Sequence, residues 1–91
     1  MNFEWDEDKR LSNIEKHGFD FVGIGVVFDG ETVTILDDRF NYGEERFITF
    51  GLLDGRVVAI AHNETDTIIR IISVRKATTN EEINYFRELK N

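Results

Sequence analysis

The alternation of apolar and polar residues along the 91-residue chain begins with a pattern typical of a helix. Leu11 and Ile14 are three positions apart, which predicts a buried stripe on a helix over residues 7–17. Asp6 has the side chain of a good N-cap, and Gly18 has the freedom that a helix end requires. We therefore expect one well-bounded helix near the start of the chain.

The segment that follows this helix is ambiguous. Asp20 can cap a second helix, and Phe19 and Ile24 have the spacing of a hydrophobic staple. Gly23 and Gly25 oppose this interpretation, because each glycine costs about 1 kcal/mol relative to alanine inside a helix. We predict a second helix that ends near residues 29–30, with a strand over residues 23–28 as the alternative.

Four runs of β-branched and aromatic residues follow, joined by short polar connections. Asp54 and Gly55 separate two of these runs, and an Asp-Gly pair is a strong signal for a tight hairpin. The pattern predicts a four-stranded antiparallel meander. Its strands are residues 32–37, 46–53, 56–62 and 67–77.

The two ends of the chain complete the predicted fold. Thr79 and Glu82 form a capping box that starts a last helix extending to about Leu89, with Ile83 and Phe86 facing inward. Before the first helix, residues 3–5 alternate as a short extended segment that we expect to pack beneath it. The chain thus reads as one α+β domain over residues 1–91. We expect the helices to cover one face of the sheet and to leave the other face partly open for a ligand.

Composition and charge narrow the functional classes. The formal charge is −7, which argues against non-specific binding of nucleic acid by the whole surface. Residues 1–45 hold 12 acids and 4 bases, whereas residues 46–91 hold 6 acids and 7 bases. The chain has no cysteine, no signal peptide pattern and no apolar run long enough to span a bilayer, so we expect a cytoplasmic protein.

The segment 67–77 carries the most suggestive chemistry, because its cations interrupt a strand that otherwise reads as buried. Simple alternation places Arg70 and Arg75 on opposite faces unless a bulge intervenes. We therefore assign Arg70 provisionally to a structural ion pair, and Arg75 with Lys76 to binding an anion. That anion is an acidic side chain, an RNA phosphate or a protein partner.

Other candidate residues are less specific. Lys16 and His17 close the first helix, where cations are favourable, but histidine is also suited to proton transfer. Arg46 opens a strand as either a phosphate ligand or an ordinary edge charge. Tyr85 lies off the main stripe of the last helix, as a packing residue or an acid–base group. His17 and His62 lack metal-site spacing, and no nucleophilic triad or phosphate-binding glycine loop is present, so we expect no metal and no cofactor.

Taken together, these residues resemble the BrnT family of type II toxins, which have a RelE-like fold. The resemblance spans nearly the whole chain, and its two more specific blocks are the N-terminal WD…N..KHG pattern and the later RIISxRKA pattern. The matching positions are Phe3, Trp5, Asp6, Lys9, Asn13, Lys16, His17, Gly18, Phe19, Phe21, Val27, Phe28, Gly43, Glu44, Arg46, Gly51, residues 70–73, residues 75–77, Glu82 and Tyr85. Gly23 and Gly25 depart from the pattern, where helix-forming residues are expected.

The resemblance implies a metal-independent RNA endonuclease that inhibits translation. It also implies a BrnA-like ribbon-helix-helix antitoxin that neutralises the toxin, and contact with DNA only through that complex. The implied chemistry needs cations for the phosphate and groups for proton transfer. Our candidates are Arg75 and Arg46 for the first task, and Lys16, His17 or Tyr85 for the second. Lys76 and Arg70 are assigned to RNA contact.

Two other functions remain open from the sequence. The acidic first half favours a non-catalytic subunit that binds a basic, DNA-binding antitoxin and acts as its co-repressor. A purely structural α+β domain is the simplest alternative, and it predicts that both Arg70 and Arg75 are paired with carboxylates.

Overall fold

A computed structural model describes residues 2–39, 41 and 43–91 as a five-stranded mixed sheet with three helices. The strands and helices occur in the order β1, α1, α2, β2, β3, β4, β5, α3. Their bounds are Asn2–Trp5 (β1), Glu7–His17 (α1), Gly25–Asp29 (α2), Val33–Leu36 (β2), Phe47–Leu53 (β3), Arg56–Glu64 (β4), Ile68–Lys76 (β5) and Thr79–Leu89 (α3). In this part of the chain, no helix is long and apolar enough to cross a membrane.

The sheet confirms the predicted meander but contains one strand more than predicted. The strand order is β1-β5-β4-β3-β2, and the pairs from β2 to β5 are antiparallel. The segment expected to pack beneath the first helix is instead β1, which pairs in parallel with β5. Phe3 lies beside Ile69 and Trp5 beside Ile71, so the aromatic residues extend the same buried face. The prediction of four antiparallel strands was therefore wrong.

A β-bulge in β5 changes which side chains share a face. Ala61 of β4 pairs with Ser73, but the next residue of β4, His62, pairs with Ile71. Ile72 is the extra residue, and an extra residue reverses the alternation on either side of it. Arg70 therefore shares a face with Arg75, and the prediction that alternation separates them was wrong.

Helices cover both faces of the sheet, and not one face as predicted. Val58 and Ile60 of β4 belong to a core with the α2 residue Val27. Val57 and Ala59, which alternate with them, belong to a second core that includes Tyr85 of α3. α2 therefore packs on one face of the sheet and α3 on the other. The part of the second face that α3 does not cover is open to a ligand.

The bounds of α1 match the prediction, but its buried face does not. Asp6 accepts hydrogen bonds from the first-turn amides, and Gly18 ends the helix in the left-handed region with φ 76°. Leu11 is 53% exposed and Ile14 is 36% exposed, so the predicted apolar stripe faces outward. The helix is instead attached through Asn13, which is only 5% exposed.

The predicted inward face of α3 was also wrong. Ile83 and Phe86 are exposed, whereas Tyr85 is buried and Leu89 packs against the second core. The helix begins one residue earlier than predicted, with Thr78 as N-cap and Glu81 completing the capping box. Tyr85 and Leu89 are four positions apart and share one helix side, whereas Ile83 and Phe86 lie on other sides, because successive residues are about 100° apart around a helix.

Neither prediction for residues 20–29 was fully correct, because only the five residues of α2 are helical there. Asp20 accepts a hydrogen bond from the Val22 amide in a turn and does not cap a helix. Gly23 has φ 82°, a left-handed conformation that side chains disfavour. A Cβ on Gly25 would lie 2.7 Å from the ring of Phe3. The two glycines that depart from the family pattern thus permit this turn and its close contact.

Candidate functional site

Three of the predicted site arginines project from the α3 side of the sheet. Asn63 of β4 pairs with Arg70, and Arg46 directly precedes Phe47, whose partner on β4 is His62. Adjacent strands are separated by about 4.8 Å, so the backbone positions of Arg46 and Arg70 are expected to lie about 10 Å apart across β4. Arg75 lies further along β5. We call the surface of Arg46, Asn63, Arg70, Ser73 and Arg75 the arginine face.

Each arginine of this face is ion-paired. Arg70 lies 3.0 Å from the Glu4 carboxylate on β1, and Arg46 lies 3.7 Å from Glu44. Arg75 donates to both carboxylate oxygens of Glu81 on α3, at 2.7 and 3.0 Å. A purely structural domain was expected to pair both Arg70 and Arg75 with carboxylates, and both arginines have such partners.

The Arg75–Glu81 pair is also the most strongly perturbed titratable pair near this face. Hydrogen bonds from Arg75 lower the pKa of Glu81 from 4.5 to about 2, assisted by the Thr78 amide. The same bonds raise the pKa of Arg75, although burial and the nearby charge of Arg39 oppose the shift. A carboxylate that binds protons so weakly is a poor general base at neutral pH, so Glu81 positions Arg75.

The ion pairs leave part of the guanidinium surface available. Among the described residues, Arg70 donates to Glu4 through Nη1 alone, and a guanidinium has five N–H donors. Both members of that pair are nearly half exposed, at 42% and 49% of their side-chain surface. Exposed pairs of this kind contribute about 0–1 kcal/mol, so a phosphate can compete for the same donors.

The predicted residues Lys16 and His17 lie in a separate cleft between α1 and the bulged part of β5. This α1–β5 cleft has a volume of about 360 Å³. Ser73 connects it with the arginine face, because Ser73 lines the cleft and pairs with Ala61 on β4. The residues that line it are Asp8, Lys9, Ser12, Asn13, Lys16, His17, Ile72 and Ser73.

Tyr85 lies in the core beneath α3, one helical turn after Glu81, and its side chain is part of neither surface. Its side chain is 1% exposed, and its hydroxyl donates to the Glu31 carbonyl at 2.7 Å. Burial raises the pKa of Tyr85, which makes its proton harder to transfer. The structure contradicts the prediction that Tyr85 lies off the inward stripe, and its position explains it as a packing residue.

Lys76 does not share the face of Arg75. Its partner on β4 is Val58, which belongs to the core on the α2 side of the sheet. Lys76 is exposed at the end of β5, and its carbonyl accepts a hydrogen bond from Arg75. The two adjacent cations are therefore directed to different sides, so they do not form one patch.

His62 is a buried polar residue on the α2 side of the sheet. Its Nε2 lies 2.7 Å from the Thr49 hydroxyl, which lies 2.7 Å from the Thr34 hydroxyl. Burial lowers the pKa of His62 from 6.5 to about 4, so the ring is neutral near pH 7. Phe47 stacks on this ring. The sheet separates His62 from the arginine face, and its contacts fit a core role.

Sequence reasoning assigned no role to four polar residues of these surfaces. Ser73 lies within a family motif, but its place beside the cleft, like that of Asn63, depends on strand register and on the bulge. Lys9 reads as an ordinary charge on a helix. Arg39, in the loop after β2, pairs with the buried carboxylate of Asp37 at 2.8 Å and acts electrostatically on Arg75. Within the described ranges, no three His, Cys, Asp or Glu side chains converge in a metal-binding arrangement.

Comparisons with known proteins agree on one family. The model of the family described as "Ribonuclease toxin, BrnT, of type II toxin-antitoxin system" matches residues 5–81. The crystal structure of the Brucella abortus ribonuclease toxin BrnT superposes with a TM-score of 0.67 at 27% sequence identity. That match covers 87% of this chain and 99% of the Brucella chain. None of the curated proteins matches. The resemblance seen in the sequence is confirmed, and the chain belongs to the BrnT family of ribonuclease toxins of type II toxin–antitoxin systems.

Proposed function

We propose that the chain is an RNA endonuclease that cleaves without a metal ion and uses the arginine face to bind the scissile phosphate. The observation that carries this proposal is the bulge at Ile72, which places Arg70 and Arg75 on one face of the sheet. Arg46, the residue before β3, extends the same face. RNA backbone is the ligand that suits several guanidinium groups on an open sheet surface.

The proposed reaction is an internal transfer at phosphorus. The ribose 2′-OH loses its proton to a base and attacks the adjacent phosphate, and the 5′-oxygen leaves with a proton from an acid. The products are a 2′,3′-cyclic phosphate and a 5′-hydroxyl end. Arginine donors stabilise the additional negative charge that develops on the phosphate oxygens.

We assign these roles by position. Arg75 is the principal phosphate ligand, because Glu81 holds its guanidinium by two hydrogen bonds. Arg46 and Arg70 bind the RNA backbone beside it. His17 is the candidate for proton transfer, since histidine suits this role and the cleft that contains it opens beside Ser73. Lys16 contributes positive charge there, Lys76 contacts RNA from the end of β5, and the buried Tyr85 has no catalytic part.

In this proposal cleavage needs no metal ion, because arginine side chains supply the positive charge. The three guanidinium groups supply the electrostatic stabilisation that a divalent ion supplies in other nucleases. Arginine keeps its charge at every pH at which RNA is stable, so the face is available without a bound ion.

The proposed partner is a BrnA-like antitoxin with a ribbon-helix-helix DNA-binding part. The chain offers this partner a net charge of −7 and exposed apolar residues on two helices. These residues are Leu11, Ile14, Ile83 and Phe86. Contact with DNA then occurs only through the basic antitoxin, and inhibition of translation in the cytoplasm follows from RNA cleavage.

Expression of the gene without its antitoxin tests this function. We expect growth to stop and cellular RNA to be cleaved, and we expect Arg75→Ala to relieve both effects at equal protein level. Arg87→Ala is the matched control, because Arg87 is an exposed arginine of α3 that bonds only to Asn84 among the described residues. Normal growth together with RNA cleavage that Arg75→Ala leaves unchanged would contradict the proposal.

A non-catalytic subunit is the second candidate function. The ion pairs of Arg70 and Arg75 with carboxylates favour this candidate, because arginines that only stabilise the fold would make the same ion pairs. In this case the chain binds the antitoxin and alters its DNA affinity without cleaving RNA. Copurification with a small basic DNA-binding protein, together with intact RNA after expression of the chain alone, would support this candidate over the nuclease.

A further inference from the structure

The α1–β5 cleft contains two lysines, Lys9 and Lys16, that form no ion pair with the residues that the structure describes. Arginine is the basic member of each ion pair between described residues, and lysine is the basic member of none of them. Asp8 is the one acidic side chain among the described residues that line the cleft. A local excess of positive charge in a chain of net charge −7 indicates a place for an anion.

Two hydroxyl groups add hydrogen-bond donors to this charge. Ser12 and Ser73 line the cleft and are only partly exposed. Within the part of the chain that the structure describes, no protein hydrogen bond is made by either hydroxyl. Hydroxyls and ammonium groups together match the oxygens of a phosphate group.

The fold holds the two walls of the cleft in a fixed relation. The Asn13 amide donates to the Val74 carbonyl at 2.9 Å, and its oxygen accepts from the Val74 amide at 3.0 Å. These bonds attach α1 to β5 immediately beside the bulge. Lys9, Ser12 and Lys16 follow the i, i+3, i+7 spacing of one helix side, so they point toward the cleft together.

We propose that the α1–β5 cleft is a subsite for an RNA backbone phosphate next to the scissile one. Lys9 and Lys16 supply charge, and Ser12 and Ser73 supply hydrogen bonds. Ser73 also belongs to the arginine face, so the RNA strand passes from that face around the edge of β5 into the cleft. The subsite rests on the proposed nuclease function and extends its substrate surface to α1.

The salt dependence of RNA binding tests the subsite. We would measure the affinity of a fluorescent 2′-O-methyl RNA, which lacks the attacking hydroxyl, at several salt concentrations. Each lost phosphate contact lowers the slope of log affinity against log salt by about 0.7 for a single strand. We expect a decrease of about 0.7 for Lys9→Ala and about 1.4 for Lys9→Ala/Lys16→Ala. Lys90→Ala, an exposed lysine without an ion pair in the described structure, should leave the slope unchanged.

The outcomes separate the subsite from the nuclease. An unchanged slope in the double variant, with retained RNA binding, would overturn the subsite and leave the nuclease proposal standing. Failure of the unsubstituted chain to bind the RNA would overturn the nuclease proposal and the subsite with it. Thermal unfolding of each variant checks that the exposed substitutions leave the fold intact.

Inorganic phosphate distinguishes an RNA subsite from a site for free anions. Titration with phosphate should shift the amide resonances of Ser12, His17 and Ser73 only at concentrations far above those at which RNA binds. Tight binding of phosphate, with an RNA salt slope that the lysine substitutions do not alter, would assign the cleft to a free anion and overturn the RNA assignment.

Discussion

Arg70 and Arg75 lie on the same face of the sheet although five positions separate them on one strand. The extra residue Ile72 shifts the register of β5 against β4, so Arg70 pairs with Asn63 and Arg75 with Ala59. Both partners are odd-numbered residues on β4 and share its α3 side. A bulge beside a functional surface is a common means of redirecting a side chain. Here it assembles the arginine face on which the nuclease proposal depends.

Removal of the principal phosphate ligand should reduce catalysis far more than stability. We expect Arg75→Ala to lower the rate of RNA cleavage about 100-fold, the usual loss when one donor to a developing oxyanion is removed. The partly exposed Arg75–Glu81 pair should contribute only about 0–1 kcal/mol to the free energy of unfolding. Single-turnover cleavage and urea denaturation measure the two effects.

Two substitutions control for the charge of Arg75. Arg87→Ala removes an exposed arginine from α3 and should leave the cleavage rate unchanged. Glu4→Gln removes the carboxylate from Arg70 and should leave cleavage intact, because it leaves the arginine in place. A loss in Arg87→Ala equal to that in Arg75→Ala, together with higher activity in Glu4→Gln, would mean that net charge, and not the arginine face, governs cleavage.

The attachment of α1 should depend on Asn13. Its amide makes three hydrogen bonds to the backbone, to Phe19 and to both polar groups of Val74. We expect Asn13→Ala to lower the free energy of unfolding by about 3 kcal/mol, because buried backbone groups lose their partners. Asn84→Ala on the exposed side of α3 should change it by less than about 0.5 kcal/mol. A loss of similar size in both variants would contradict this account of α1.

Glu81 should produce acid sensitivity below pH 4.5. Its pKa is about 2 in the folded chain and 4.5 without its partners, so between these values only the unfolded chain takes up the proton. The stabilisation is complete above pH 4.5 and is lost as the pH falls toward 2. We expect the melting temperature to fall more steeply over this range in the unsubstituted chain than in Glu81→Gln.

Glutamine at position 81 retains the capping function but does not titrate. Glu88→Gln serves as the matched control, since Glu88 has no ion pair in the described structure. The melting temperature of Glu88→Gln should fall with decreasing pH as steeply as that of the unsubstituted chain. Parallel acid profiles for the unsubstituted chain and Glu81→Gln would show that the pair contributes nothing to stability.

His62 should produce a separate loss of stability between pH 6.5 and about 4. In this range the unfolded chain binds a proton that the buried ring of the folded chain does not, so stability falls as the pH decreases. Below about pH 4 both states are protonated, and the effect levels off. We expect His62→Gln to remove this component of the pH profile, and His17→Gln, at an exposed helix end, to retain it. If His62→Gln left the dependence of stability on pH unchanged, the burial of the His62 ring would be contradicted.

Gly51 should be intolerant of a side chain. A Cβ at this position would lie 2.5 Å from Cγ1 of Val27, where α2 crosses β3. We expect Gly51→Ala to lower the free energy of unfolding by about 1–3 kcal/mol through overpacking. Gly30→Ala is the control, because its nearest atom would be the Val27 carbonyl oxygen at 3.7 Å. Equal stability of the two variants would place α2 further from the sheet.

The sequence predicted correctly those features that depend on a few neighbouring residues, such as helix ends and tight turns. The Asp6 carboxylate caps the start of α1, and Gly18 ends the helix in the left-handed conformation that glycine adopts without strain. Asp54 and Gly55 both have positive φ, at 50° and 78°, as the hairpin signal predicts. The BrnT resemblance was also readable, because its motifs are distributed along the sequence.

The remaining features depend on contacts between distant segments. β1 has only four residues, and its partner β5 lies more than sixty positions away, so no local pattern announces the pairing. The bulge at Ile72 has no glycine or proline to mark it. The polar Asn13 replaces an apolar stripe as the attachment of α1, which hydrophobic periodicity cannot detect. For this reason the arginine face was divided in the sequence prediction.

The products of RNA cleavage in the presence of EDTA test the central claim most directly. We predict that the purified chain cleaves RNA with EDTA present and leaves 2′,3′-cyclic phosphate and 5′-hydroxyl ends. It should fail to cleave where the attacking ribose carries a 2′-deoxy substitution, and Arg75→Ala should slow the reaction about 100-fold. Cleavage that EDTA abolishes and Mg²⁺ restores, or products with 5′-phosphate ends, would contradict the mechanism.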